Sequence, residues 1–246
     1  MVSVLMGIHR MDAYVFQAVD SVLAQQGVEL ELVIVANGPS CASIAATVTS
    51  HYCDPRVKVY QTPVGQLAHA LNVGLSHASY DLIARMDADD IAHTDRLSRQ
   101  CEFINATGND LVGCAVRLVD AAGKEIGVRH GPKGHGVRWK LLFKNCFVHP
   151  TILARKQLFL RVGGYSGGFN CEDYDLWLRM RRLHIRWDNM NDILLDYRIH
   201  EAASRRRLLG YAEVAGLMVR ELLLTKNPMW LAAVAVAVTK ALTRSR

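Results

Sequence analysis

The chain has 246 residues, half of them hydrophobic and 21% charged, with a formal net charge of +6. That balance supports a folded core and excludes disorder or low complexity as the main theme. The longest unbroken apolar run, Met229–Val238, falls well short of the about 20 residues a spanning helix needs, which excludes a polytopic membrane protein.

The first ninety residues alternate between two periodicities. Val2–Ile8 reads as a buried strand, and no signal peptide precedes it. Asp12 is a candidate N-cap for a helix whose apolar positions Val15, Val19, Val22 and Leu23 recur at helical spacing up to Gln26. Glu31–Ala36 is the next strand, broken by Asn37-Gly38-Pro39, and Ser40–Tyr52 reads as helix. Val57–Gln61, Gln66–Ala78 and Leu82–Met86 continue as strand, helix and strand. Such alternation predicts an α/β fold with a mostly parallel, Rossmann-like central sheet covered on both faces. Ligands of such sheets bind outside the carboxyl ends of the strands, which points to Ile8–Arg10, Ala36–Ser40 and Asp87–Asp90.

Beyond Asp90 the rhythm changes. Thr94 can cap a helix over Asp95–Thr107 that Gly108 ends. Leu111–Val119 is a strand, residues 121–124 a turn, and the glycine-rich Gly127–Gly136 a mobile loop. Val137–Lys144 is a short helix. Gly163–Gly168 is a second flexible loop, followed by Cys171-Glu172-Asp173 and a helix to about Arg182. Ile193–Ile199 is the last strand, and helices over Leu208–Thr225 and Met229–Leu242 follow. One domain is expected over 1–204, with a nucleotide-binding half (1–90) and an acceptor-binding half (91–204), followed by a helical tail over 205–246.

Charge is concentrated in that tail. Residues 205–246 hold eight Lys or Arg against Glu213 and Glu221, which accounts for the whole net charge. A nucleic-acid binder would spread basic and aromatic residues over its binding face, so none is expected as a partner. A basic, apolar tail suits an anionic membrane surface, with packing on the catalytic domain as the alternative. Six scattered cysteines without a CxxC pair exclude a zinc ribbon or a disulfide scaffold and fit free thiols of a reducing cytoplasm. The expected location is cytoplasmic, with peripheral attachment to the inner face of the membrane as an option for the tail.

Asp87-Ala88-Asp89-Asp90 puts three carboxylates directly after an apolar strand. Two unit charges about 4 Å apart repel by about 4 kcal/mol at an effective dielectric of 20. A fold keeps such a cluster where a cation occupies it, and Mg²⁺ or Mn²⁺ takes oxygen ligands of this kind. The alternative is a solvated turn with Asp90 near a helix start. Glu172-Asp173, with Asp175 close by, is a second acidic cluster, suited either to general-base work or to a first helical turn. His200 ends its strand where it can reach metal or diphosphate, whereas His149, before Pro150, reads first as structural. Trp177 and Trp187 read as core or groove residues, with acceptor stacking as the alternative, and Arg179, Arg181 and Arg182 as a solvated helix face.

Taken in order, several segments resemble the inverting family 2 glycosyltransferases of the glycosyltransferase-A fold, over roughly residues 2–200. They are Gly65-Gln66-Leu67-Ala68-His69-Ala70-Leu71-Asn72, Ile83-Ala84-Arg85-Met86-Asp87-Ala88-Asp89-Asp90, Arg96-Leu97 with Gln100, and Asn145 with His149-Pro150-Thr151. Gly163-Gly164-Tyr165, Glu172 through Arg179, and Tyr197-Arg198-Ile199-His200 complete the set. The resemblance is to the small bacterial enzymes of lipopolysaccharide, capsule and exopolysaccharide assembly. It implies Asp87 and Asp89 as the DxD pair, Asp87 toward ribose and metal and Asp89 on the metal, with His200 as a further metal ligand. It implies Asp173 as catalytic base with Glu172 beside it, and Ile8, His9, Asn37, Asn72, Arg85, Asp87 and Ala88 on the nucleotide sugar. The chain departs from the pattern where Gly7-Ile8-His9-Arg10 replaces Pro-x-Tyr-Asn, where Ala36-Asn37-Gly38-Pro39 replaces Asp-Asp-Gly-Ser, and where Thr94 replaces a proline.

The expected activity is metal-dependent transfer of a sugar from a UDP-hexose or UDP-N-acetylhexosamine to a hydroxyl of a glycan or lipid-linked acceptor. The cofactor would be Mn²⁺ or Mg²⁺. Two alternatives stand beside it: a sugar-phosphate nucleotidyltransferase, and a non-catalytic nucleotide-binding subunit of a polysaccharide assembly complex.

Overall fold

The computed structural model describes residues 1–168, 171–200 and 207–244. Strands β1 (Val2–Ile8), β2 (Leu30–Asn37), β3 (Val57–Thr62) and β4 (Leu82–Met86) alternate with helices α1 (Val15–Leu23), α2 (Cys41–His51) and α3 (Leu67–His77). β1 and β2 are apolar almost throughout because both of their faces are covered. Leu5 and Val33 face a core shared with α3, while Val4, Met6, Leu32 and Ile34 face a core shared with α1 and α2. β1 pairs in parallel with both β2 and β4, and β2 in parallel with β3. The chain therefore adds β2 and β3 on one side of β1 and returns to lay β4 on the other. The carboxyl ends of β1 and β4 flank the crevice that this reversal opens.

The second half begins with β5 (Ile91–Ala92), α4 (Arg96–Thr107), β6 (Leu111–Val119), β7 (Glu125–Arg129) and α5 (His135–Lys140). A 3-10 turn at His149–Thr151, β8 (Leu153–Arg155), α6 (Lys156–Arg161), α7 (Glu172–Arg181) and β9 (Trp187–Arg198) follow. The sheet runs β3-β2-β1-β4-β8-β6-β9-β5, with β7 on β6. β8 joins the halves by pairing antiparallel to both β4 and β6, and β6 lies parallel to β9.

Several local expectations change. Residues 127–129 of the glycine-rich segment belong to β7, held antiparallel against Val116–Val119, because the 120–124 turn folds the chain back on β6. β9 starts at Trp187, six residues before the expected strand, since Leu111–Gly113 offer it a parallel partner. Asp12 does not cap α1; its Oδ1 accepts the amide of Tyr14 at 3.0 Å, an Asx turn ahead of the helix. The residue before α4 is Asp95, not Thr94, and Gly108 closes that helix with φ 64°, a left-handed position suited to glycine.

Two further helices follow, α8 (Arg207–Thr225) and α9 (Met229–Arg244). Met218, Trp230, Ala233 and Ala237 are buried in the same core as Leu71 of α3 and Trp177 of α7, so the expected tail packs on the body. Ion pairs reinforce that contact: Arg220 with Asp175, and Arg182 with Glu221 at 2.7 Å. Arg205, Arg206 and Arg246 of the basic segment lie outside the described residues. No helix among the described residues is long and apolar enough to cross a membrane.

Candidate active site

The turn after β4 carries Asp87, Asp89 and Asp90, and the brief pairing of β5 with β9 brings the end of β9 against it. Asp90 is 1% exposed; its Oδ1 accepts the Arg198 amide at 2.8 Å, and its Oδ2 has no hydrogen-bond partner. The expectation of Asp90 near a helix start is corrected, because α4 begins only at Arg96. Arg198 donates from Nε to the Asp89 carbonyl and from Nη1 to the Asp120 and Ala121 carbonyls, with its guanidinium 4.1 Å from the centre of the Tyr14 ring. His200 Nε2 lies 2.7 Å from Asp89 Oδ2.

One carboxylate oxygen from each of Asp87, Asp89 and Asp90 lies within 4.8 Å of the others. Burial raises the pKa values of Asp89 and Asp90, and the neighbouring carboxylates raise them further. Arg85, 2% exposed, is the counter-charge. Burial would lower its pKa, but the ion pair with Asp87 raises it overall. The cluster thus crowds three carboxyl groups, two of them resisting ionisation, with one buried oxygen unpartnered.

The second acidic pair begins α7. Asn145 donates to Asp173 Oδ2 at 2.5 Å, and the Tyr174 amide to Asp173 Oδ1 at 2.6 Å. Burial and the charge of Glu172 push the Asp173 carboxyl up to about 6, against the lowering effect of those two donors. α7 is fixed behind it: Arg179 Nε donates to Asp175 at 2.7 Å, and its Nη1 to the Val162 and Gly164 carbonyls. The expectation of a solvated arginine face is corrected for Arg179 and Arg181, whereas Arg182 is exposed as expected. Arg179 is 8% exposed, Arg181 lies over Trp230, and Arg182 pairs with Glu221, because α8 and α9 cover that side.

A cleft of about 240 Å³ joins Asp87 of the first acidic cluster to the second acidic pair: Arg85, Asp87, Glu172 and Asp173 line it together with Asn145 and Arg129, while Asp89, Asp90 and His200 do not. His149, in the same wall, pairs with the Tyr165 hydroxyl at 3.0 Å, and burial holds its pKa well below the usual histidine value. Trp177 and Trp187 are buried against Phe147, in the core.

The remaining expected residues sit at the strand ends. Ile8 and Asn37 are buried at the ends of β1 and β2, and Ala88 is half-buried beside the acidic turn. The His9 ring lies on Gly38 (φ 90°) and Gly65; a Cβ on Gly38 would stand 2.6 Å from His9 Cε1. Asn72 is taken up elsewhere. Its amide both donates to the Tyr165 carbonyl and accepts the Tyr165 amide, each at 2.8 Å, which pins the Gly163-Gly164-Tyr165 corner. Sequence reasoning gave no role to Asn145, Arg129, Arg198 or Tyr14. Asn145 and Arg198 lay inside motifs already noted, whereas Arg129 and Tyr14 carried no local signal.

The profile described as "Glycosyl transferase family 2" matches residues 3–167. The O-antigen biosynthesis glycosyltransferase WbnJ of Escherichia coli is 42% identical over 227 residues, 91% of this chain and 89% of that protein. The UDP-Gal:alpha-D-GlcNAc-diphosphoundecaprenol beta-1,3-galactosyltransferase of Escherichia coli is 28% identical over 219 residues, 83% of this chain and 76% of that protein. Among solved structures, S. aureus TarS 1-349 superposes with a TM-score of 0.73 at 17% identity, over 100% of this chain and 73% of that one, a likeness of fold.

Proposed function

The chain belongs to glycosyl transferase family 2, and from that premise we propose that it transfers a sugar, with inversion at the anomeric carbon, from a UDP-hexose or UDP-N-acetylhexosamine to a hydroxyl of a glycan or lipid-linked acceptor. Relatives named for O-antigen synthesis and for a diphosphoundecaprenol-linked sugar support bacterial surface polysaccharide as the product class. The observation that carries the reading is the single cleft lined by Arg85 and Asp87 on one side and Glu172 and Asp173 on the other.

The carboxyl ends of β1, β2 and β4 receive the nucleoside, with Ile8, His9 and Ala88 around it. Asn37 offers a donor and an acceptor, a match for the uracil imide edge. Asn72 contributes indirectly, by holding the Tyr165 corner. The acidic turn fits a hard divalent ion, since it supplies clustered oxygen donors and an unpartnered buried oxygen on Asp90. Asp87 and Asp89, with His200 beside Asp89, would hold Mn²⁺ or Mg²⁺, which when bound would offset charge on the departing diphosphate. Asp173 takes the proton of the acceptor hydroxyl. The acceptor oxygen forms its bond to the anomeric carbon as the bond from that carbon to the diphosphate breaks. Glu172 keeps the pKa of Asp173 high, and Asn145 holds its carboxylate in place. One protein carboxylate suffices for proton transfer, unlike the pair of a glycosidase.

Exposed apolar stripes, Val219 and Leu223 on α8 and Leu231, Val238 and Leu242 on α9, stand in the basic segment and support contact with an anionic membrane face. A screen of nucleotide sugars with and without Mn²⁺ tests the activity. UDP release that depends on acceptor is expected. Release of inorganic diphosphate would indicate a nucleotidyltransferase, and binding without turnover a non-catalytic subunit; either overturns the reading.

A further inference from the structure

Asn145 gives Asp173 its side-chain donor, yet it borders open space on two sides. It lies half-buried in the irregular stretch between α5 and the 3-10 turn. One space is the cleft shared with Asp87. The other is a cavity of about 280 Å³, walled by Val214, Met218 and Ala237 of α8 and α9, which Asp173 also borders. A side chain between two cavities keeps its place through hydrogen bonds rather than close packing. Asn145 Oδ1 accepts the Phe147 amide at 3.2 Å, so its orientation follows the backbone of 145–147. That backbone is fastened from β9. Asn189, 1% exposed, donates from Nδ2 to the Cys146 carbonyl at 3.2 Å and to the Pro132 carbonyl at 2.8 Å, which uses both protons of its amide. Glycines make room for it: Gly113 pairs with Asn189 across β6 and β9, and a Cβ on Gly113 or on Gly131 would overlap the Asn189 side chain. Asn189 Oδ1 is buried without a hydrogen-bond partner, unfavourable in itself, so the value of this amide lies in its two donors.

We infer that Asn189 is a positioning residue for proton transfer: through the Cys146 carbonyl it fixes Asn145, and through Asn145 the direction of the Asp173 carboxylate. The inference rests on the reading of Asp173 as the base. Asn189 is not in the cleft wall and meets no substrate itself. Freed from Asn189, the 145–146 backbone can shift and Asn145 can turn into either cavity. The Asp173 carboxylate then loses the donor that favours its charged form. The titratable groups that face Asp173 are Cys171, Glu172 and Tyr174 beside it, and Arg85, Asp87, Arg129, His149 and Tyr165 toward the cleft. Lys144, Lys240 and Tyr211 face it from the second cavity. Asn189 is hydrogen-bonded to none of these side chains among the described residues, so its influence on Asp173 has two routes. One runs through Cys146 to Asn145, the other through Pro132 to Arg129, and the inference commits to the first.

The test uses the full chain and two readouts: the pH dependence of acceptor-dependent UDP release, and the titration of the Asp173 carboxyl followed directly by NMR. Asn189→Ala removes both donors. Gly131→Ala keeps them and pushes the Asn189 side chain aside, so it carries the test should Asn189→Ala not fold. Each is expected to raise the Asp173 midpoint by about half a unit. Each should also lower kcat by up to about 10²-fold with KM for the donor unchanged. With Asn145→Ala already present, the same changes are expected to leave the midpoint where Asn145→Ala alone puts it, because the route is shared. An unmoved midpoint in the folded variants, or a full shift on top of Asn145→Ala, would overturn the inference. A shift seen by NMR and silenced by Asn145→Ala, in a chain that turns over no nucleotide sugar, would overturn the proposed activity and leave the hold of Asn189 on Asp173 standing.

Discussion

At Asp173, the surrounding groups make opposed predictions. On the proposed reading its deprotonated form is the base, so turnover should rise as pH climbs through about 6 and level off above that. Glu172→Gln removes a repelling charge and should move the limb to lower pH. Asn145→Ala removes a donor to the carboxylate and should move it higher. A limb that stays fixed in both variants would separate Asp173 from the pH dependence. Asp173→Asn should cost about 10²–10⁴-fold in turnover with donor affinity nearly unchanged. A residue that only caps α7 would instead lose about 1 kcal/mol of stability and keep its rate. At the acidic turn, EDTA and Asp89→Asn should each abolish metal-assisted donor binding, read as UDP-sugar affinity with and without Mn²⁺, while the melting temperature holds. Both acidic clusters were legible because each is local, three carboxylates after a strand and two at a helix start. Arg198 and Asn145 were not assigned, since each reaches its carboxylate, Asp90 and Asp173, from a distant part of the chain, 108 and 28 residues away.

Among the elements, the parallel half was legible almost to the residue, because strands buried on both faces read as continuous apolar runs. β8 was missed: three residues carry no periodicity, and Leu153–Arg155 are a strand only because β4 and β6 flank them. The arginines of α7 failed the usual inference from charge to solvent for a related reason. Arg179 is paired within α7 itself, with Asp175, while Arg181 lies over Trp230 of α9 and Arg182 pairs with Glu221 of α8, contacts that nothing within α7 announces. That packing makes α7 and α8 one mechanical unit. Asp175→Asn leaves Arg179 buried at 8% exposure without its carboxylate, and should destabilise the fold by about 3–5 kcal/mol in urea titration. Trp230→Ala, at a side chain 0% exposed, should cost about 3–5 kcal/mol, read as a lowered melting temperature. A loss below about 1 kcal/mol in both would show that α8 and α9 are only loosely attached.

Over the whole molecule, charge and apolar surface coincide at the C-terminal helices. They bury one face in the core and leave another in solvent, so packing on the body and resting on a membrane use different residues. Each Lys or Arg near an anionic bilayer contributes about 1 kcal/mol. The chain should sediment with anionic vesicles, less so as salt rises, and Leu231→Ser with Leu242→Ser should weaken sedimentation without lowering the melting temperature, since both side chains are exposed. Equal sedimentation with neutral and anionic vesicles would remove the electrostatic part of this account. The tail's basic and apolar composition is what suggested contact with a surface. Its place in the core did not show in the sequence, because burial of Trp230 and Ala237 depends on a partner face assembled from α3 and α7.

Asp173 stands as a partition with a chamber on either side, and a partition has a consequence for waste. If Asp173 is the base of the proposed reaction, a cavity walled by Val214, Met218 and Ala237 that holds only solvent would offer it water as the nearest hydroxyl, and the activated sugar would be spent on hydrolysis. A chamber filled by any occupant, reactive or not, shuts that leak. An inert amphiphile seated there should therefore slow acceptor-free UDP release rather than compete with the donor, so economy with an expensive metabolite would come from a wall outside the donor cleft.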